Sequence, residues 1–143
     1  MSKLRDKALL AAECFVERRG YSVIGTRYET KSGDEIDIVA EDGDALVFID
    51  VSARRDTDKG FPREGMTKSA RERREMAAIQ WFKNEGMSYR DRPVRFENIA
   101  LLVMNADRAL IKHTVNAMIY EPAVRVCRKP EIEAEPELAC ATA

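Results

Sequence analysis

The chain has 143 residues, 45% of them hydrophobic and 34% charged, and its 24 Lys+Arg against 25 Asp+Glu leave a net charge of −1; that is one domain's worth of sequence, whose core closes without metal or disulfide staples. No apolar run reaches the roughly 18 residues of a spanning helix, and the charged start MSKLRDK leads into no export-type apolar stretch, so neither a membrane span nor a secretion signal is expected. Cys14, Cys127 and Cys140 are scattered and lack CxxC spacing, which argues against structural zinc, fits a reducing cytoplasm and makes Cys14 a core residue.

In chain order, Leu4, Ala8, Ala11, Ala12, Phe15 and Val16 mark the stripe of an amphipathic helix over 4–19, ended by Gly20. Residues 22–28 are β-branched and aromatic-rich and predict a strand. Two further apolar runs, 35–40 and 45–53, flank Glu41-Asp42-Gly43-Asp44, whose Asp-Gly step predicts a hairpin. Residues 67–85 read as a second helix: Ser69 and Glu72 have capping-box spacing, Ala70, Ala77, Ala78, Trp81 and Phe82 share a face, and Gly86 closes it. The run 95–104 is apolar almost throughout, as in a strand covered on both faces. Residues 108–120 fit either a strand followed by a short helix or a single helix. Residues 121–143 hold three prolines and an acidic run, the composition of a mobile tail behind a single domain over 1–120. Helix, three strands, helix, strand, helix gives an α/β fold, a mixed β-sheet flanked by helices, with a right-handed crossover through the second helix.

Charge is segregated along this order. Residues 29–50 carry eight acidic groups and one basic, whereas 53–95 carry twelve basic and seven acidic. Within the acidic stretch, a turn centred on Gly43-Asp44 sets Asp37 opposite Asp50, and one centred on Asp42-Gly43 sets it diagonal; either way the two acids share a face. Directly opposed Cβ atoms lie about 5 Å apart and diagonal ones about 7–8 Å, so both registers bring the pair within reach of one divalent cation. A hard ion such as Mg²⁺ would relieve their repulsion. The plainer alternative is a pair of solvent-facing hairpin acids, with Asp34, Glu41, Asp42 and Asp44 as turn and solubility residues and Glu35 as an outer ligand at most.

The blocks Gly33-Asp34-Glu35-Ile36-Asp37-Ile38-Val39-Ala40 and Leu46-Val47-Phe48-Ile49-Asp50-Val51-Ser52-Ala53-Arg54 resemble those of the YraN-like proteins, a bacterial branch of the PD-(D/E)xK, restriction-endonuclease-like superfamily. Glu17-Arg18-Arg19-Gly20-Tyr21, Lys68, Arg95-Phe96-Glu97 and His113 with Asn116-Ala117 extend the similarity over roughly residues 8–120. The resemblance implies a restriction-endonuclease-like fold, Asp37 and Asp50 as catalytic, metal-binding acids, and Mg²⁺ (or Mn²⁺ as substitute) as cofactor. It also implies departures. The motif lysine, which would orient the attacking water at this catalytic position, falls at Ser52, and the acid of the first helix falls at Leu9.

Three functions follow as expectations. The first is a nuclease-like nucleic-acid-binding protein with a reduced site and weak or absent cleavage, in which Arg54, Arg55, Lys68, Arg71 and Arg74 meet phosphates, most simply of DNA. The second is an active Mg²⁺-dependent endonuclease on branched or damaged DNA, with Arg54 or Arg55 standing in for the missing cation. The third is an interaction protein with no nucleic-acid role, using the Trp81 and Phe82 region or the acidic tail. His113, with no second His or Cys near it in sequence, reads as a hydrogen-bonded structural residue. The oligomeric state stays open.

Overall fold

The computed structural model describes residues 3–55, 57–62 and 67–120; the sequence expectation of a tail over 121–143 lies outside them. Helix α1 (Lys3–Arg18) is followed by strands β1 (Ser22–Glu29), β2 (Glu35–Asp42) and β3 (Ala45–Arg54), helix α2 (Lys68–Asn84), and strands β4 (Val94–Asn105) and β5 (Arg108–Tyr120). The five strands form one mixed sheet in the order β1-β2-β3-β4-β5. All neighbours are antiparallel except β3 and β4, which run parallel through the α2 connection. This is the α/β architecture expected of a restriction-endonuclease-like fold.

Each helix covers one sheet face. Ala8, Leu9, Ala12 and Val16 of α1 pack on Ile38, Val47, Ile49, Val51, Ile99 and Leu101, while Ala77, Ala78 and Trp81 of α2 pack on Ile36, Val39, Leu46, Phe48 and Phe96. Leu9, which the sequence stripe leaves out, is a core residue, and Cys14 is corrected in the opposite sense: it is exposed. One helical turn sets i and i+4 on the same side, so burying Ala8, Ala12 and Val16 turns position 14 outward. At the end of α1, Gly20 takes φ +96°, and the Tyr21 N–H returns to the Val16 carbonyl at 3.0 Å, a left-handed closure that suits glycine.

Helix α2 is capped two residues earlier than the sequence spacing suggests. Thr67 is extended and its Oγ1 accepts the Ala70 N–H at 3.0 Å, whereas Ser69 is already helical. Gly86 is needed for space rather than for a left-handed turn: its φ is −118°, and a Cβ there would stand 1.9 Å from Trp81 Cζ3. Trp81 and Phe82 turn inward, with the Phe48 ring 5.5 and 6.0 Å from theirs, so Trp81 belongs to the core and is removed as a docking residue.

Strand β4 lies between β3 and β5, and its apolar centre (Ile99, Ala100, Leu101) is buried, as its continuous hydrophobicity requires. The segment left ambiguous by sequence is strand throughout, which replaces the expected final helix. Its β-branched residues supply the outer partner that β4 needs; Leu110 and Val115 are exposed and Ile111 packs against the α1 core. Register shifts at Phe96/Asn98 and Val103/Asn105 break the period of two that would have marked a strand in the sequence.

Candidate functional site

The hairpin adopts the first of the two registers. Asp42 pairs with Ala45 and Ile38 with Ile49, around a two-residue loop in which Gly43 takes φ +64°. The β2–β3 ladder stops at Ile38/Ile49. Beyond that point β2 continues only against β1, to Glu35, while β3 continues against β4, to Arg54. The strands splay, and Asp37 fills the gap: its Oδ2 accepts the Val51 N–H at 2.7 Å, in place of a ladder carbonyl.

The splay changes what sequence parity implies for the two acids. Ile36 packs in the α2 layer and Ile38 in the α1 layer, so strict alternation fails at the residue between them. Asp37 is approached from the α1 side by Arg5, which also donates to Glu35 at 2.7 Å. Asp50 is ion-paired from the α2 side by Arg74, whose Nη1 also donates to Asn98 Oδ1 at 3.0 Å. The two carboxylates therefore meet through the splay rather than as flat neighbours on one face, yet they still sense each other. The Asp50 carboxyl is pushed up to about 6: burial raises it, Asp37 and Glu35 add to this, and Arg74 and Arg5 only partly offset it. Burial also raises Asp37, outweighing the Val51 N–H and Arg5.

Asp50 lines a cavity of about 230 Å³ between α2 and the sheet, with Asp34, Glu35, Arg73 and Arg74 at its polar wall and Phe48 and Ala77 at its apolar one. Arg73 Nε stands 3.8 Å from Asp34 Oδ1 at the rim. Ser52 lies two residues beyond Asp50 on β3, paired with Ala100 and exposed. Lys68 and Arg71 are exposed on the first turns of α2, outside the cavity lining, to which that helix gives Ala70, Arg73, Arg74 and Ala77. Two of the expected phosphate contacts are elsewhere. Arg54 Nη1 donates to the carbonyls of Lys59, Gly60 and Phe61 at 3.1, 3.4 and 3.3 Å, tying down the loop after β3. Arg55 is exposed and lines a different, α1-side groove.

In donor type the acids fit a hard cation: oxygen only, from two aspartates with Glu35 beside them. In placement, guanidinium groups hold these oxygens, and among the described residues no three His, Cys, Asp or Glu side chains form a metal cage. Where the resemblance expects an acid in α1, Leu9 is buried beside Asp37, and Arg5, one turn earlier, supplies positive charge. Sequence reading missed Arg5; its signal was the i, i+4 relation to Leu9 in the buried stripe.

A second polar cluster lies on the α1 face, near the start of β4. Glu97 is fully buried and accepts from Tyr21 Oη at 2.8 Å and Arg95 Nε at 2.9 Å, with His113 Nε2 at 2.8 Å. Arg95 Nη2 reaches on to Asp42 at 2.7 Å. Burial alone would raise Glu97, but bonds from His113, Tyr21 and Arg95 hold it below the usual carboxylate range. Burial, with Glu97 beside it, pushes the Tyr21 phenol up to about 12. His113 thus has the hydrogen-bonded role read from sequence, and the scattered matches at Tyr21, Arg95, Glu97 and His113 converge on one point.

A family model described as uncharacterised protein family UPF0102 matches residues 10–101. A UPF0102 protein of Geobacter sulfurreducens is 35% identical over 114 residues, covering 80% of this chain and 85% of that protein. One from Renibacterium salmoninarum is 36% identical over 104 residues, covering 73% and 85%, and one from Rhodococcus jostii is 31% identical over 108 residues, covering 76% and 88%. With the mixed sheet and the hairpin acids of the expected blocks in place, the chain belongs to the UPF0102 family, the YraN-like proteins.

Proposed function

We propose that this protein binds nucleic acid, most simply DNA, on a nuclease-like scaffold whose own cleavage chemistry is weak or absent. The observation that supports this reading is the pair of guanidinium groups, Arg5 and Arg74, holding Asp37 and Asp50 from opposite layers. These carboxylates are neutralised by the chain itself, where a hydrolytic site would use a metal and a lysine. Ser52 brings no charge to hold a hydroxide or steady an equatorial phosphate oxygen, and Leu9 brings no ligand. The nearby arginines stay protonated and so supply no general base. Arg73 at the rim of the Asp50 cavity, with Lys68 and Arg71 exposed on the same helix, offers cationic groups suited to phosphates.

One observation favours the second reading, an Mg²⁺-dependent endonuclease: Asp50 remains raised to about 6 although Arg74 is paired with it, so the carboxylate cluster has capacity for further positive charge. Mg²⁺, or Mn²⁺ in its place, would be held by Asp37 and Asp50 and would supply Lewis-acid stabilisation of a phosphodiester. The chain's part would be to orient those acids through the Val51 N–H and Arg5.

The deciding experiment incubates the protein with labelled duplex, single-stranded and branched DNA under Mg²⁺, Mn²⁺ or EDTA, beside Asp50→Asn and Asp37→Asn. Salt-sensitive binding without cleavage is expected. Metal-dependent cleavage abolished by Asp50→Asn would establish the endonuclease instead, and no binding at low salt would overturn both.

A further inference from the structure

The α1 face carries a groove that the nucleic-acid reading does not use. About 430 Å³ in volume, it runs between α1 and the β4–β5 hairpin, over a floor that includes Leu4, Phe15, Leu101 and Ile111. Its rim is cationic: Lys7, Arg18, Arg55 and Arg108 line it, against the single acid Asp107. None of the four bases has an ionic partner among the described residues. An apolar trough with unpaired positive edges fits an extended segment that carries acids and a few aliphatic side chains.

The chain contains such a segment. Residues 129–143 read KPEIEAEPELACATA, with Glu131, Glu133, Glu135 and Glu137 against one lysine, and with Ile132 and Leu138 interleaved. We propose that this acidic C-terminal segment docks in the α1-side groove of its own chain, seating Ile132 or Leu138 on the floor and its glutamates against the basic rim. The reach is sufficient. Strand β5 ends at Tyr120, paired with Val94 at the far end of the sheet from the groove, so the return is roughly 10 strand residues, or about 33 Å. The 18 or so residues from Tyr120 to Leu138 span up to about 60 Å when extended. Tethering gives an effective concentration on the order of millimolar, so weak intrinsic affinity is enough for occupancy. The segment and β5 both lie outside residues 10–101, the stretch that the family model matches.

The chain supplies its own probes, because Cys14 is exposed in the groove wall and Cys140 lies two residues after Leu138. The full chain is treated with a short bis-maleimide across a range of protein concentrations, and the linked peptides are mapped by mass spectrometry. Cys14–Cys140 linkage at a rate independent of concentration is expected. Reversing the four tail glutamates to lysine, or introducing Arg18→Glu with Arg55→Glu, slows it roughly five-fold or more, and high salt does the same. Arg18 and Arg55 are exposed, and an unchanged thermal melt of each variant checks that folding is preserved. A linkage rate indifferent to both charge reversals overturns the proposal. So does a rate that rises with protein concentration, which would assign the groove to the tail of a second copy.

Discussion

At the residue scale, two acids in contrasting environments, Asp50 and Glu97, pull stability in opposite directions. Asp50 has a folded-state value of about 6, above its unfolded one. Between those values the native state holds a proton that the unfolded state has released, so this group's contribution weakens as pH rises from about 4 to 6. Asp50→Asn removes the desolvated charge but keeps an acceptor for Arg74. It is expected to raise stability at pH 7.5 by about 1 kcal/mol and to flatten the pH 4–6 slope in urea melts. A site held at a cost in stability is a reason to look there for function. Glu97 is the converse case. Its value is lowered, so its contribution is complete above the unfolded carboxylate range and is lost as pH falls through the folded value. Glu97→Ala leaves Arg95 and His113 without their buried acceptor and is expected to cost about 3–5 kcal/mol at neutral pH, seen as a large fall in the denaturation midpoint. Two charged clusters in one small domain thus separate by sign: Asp50 is desolvated beside a cavity, whereas Glu97 is fully buried and hydrogen-bonded, with the buried His113 Nδ1 the one atom of that cluster left without a partner among the described residues.

The same division appears in the elements. Helix α2 is capped by Thr67 yet has no acidic residue in its first turn, where Lys68 and Arg71 stand near the positive end of the helix dipole. Stability alone would prefer acids there. Lys68→Glu is expected to stabilise the fold by a few tenths of a kcal/mol through the dipole while weakening DNA binding several-fold at low salt. Thermal melts and fluorescence anisotropy on the same variant separate the two effects, and a change in stability with unaltered binding would remove Lys68 from the phosphate contacts. Elements with a single clean period were legible in sequence. The α1 stripe, the Asp-Gly hairpin and the apolar β4 run came out within a residue or two. What escaped had a competing local signal. Ser69/Glu72 spacing mimicked a cap that Thr67 provides, and bulges broke the alternation of β5. Parity left two hairpin registers open, of which the ladder takes one as far as Ile38/Ile49, and the splay beyond that point depends on β3 following β4 while β2 follows β1, a tertiary choice that no local pattern encodes.

For the whole molecule, charge segregation matters more than total charge. A net charge of −1 gives no long-range attraction for a polyanion. On the nucleic-acid reading, affinity would have to come from the local surface of α2 beside the Asp50 cavity, while acids in β2 are held back by Arg5 and Arg92. Arg54 and Arg74 are engaged in structural bonds, so on that reading Lys68 and Arg71, with Arg73 at the rim, would meet the backbone. Three phosphates neutralised on duplex DNA give a slope of log affinity against log salt of about −3, well short of the slopes of strongly basic DNA-binding proteins. Replacing Lys68 and Arg71 together by alanine is expected to reduce that slope by about 2, while Arg54→Ala leaves it unchanged and instead lowers thermal stability through the loop it ties. Anisotropy titrations at several salt concentrations measure both. A slope that stays near −3 in the double variant would move the contact surface away from α2, whereas loss of slope on Arg54→Ala would mean that the loop after β3 forms part of the DNA-binding surface.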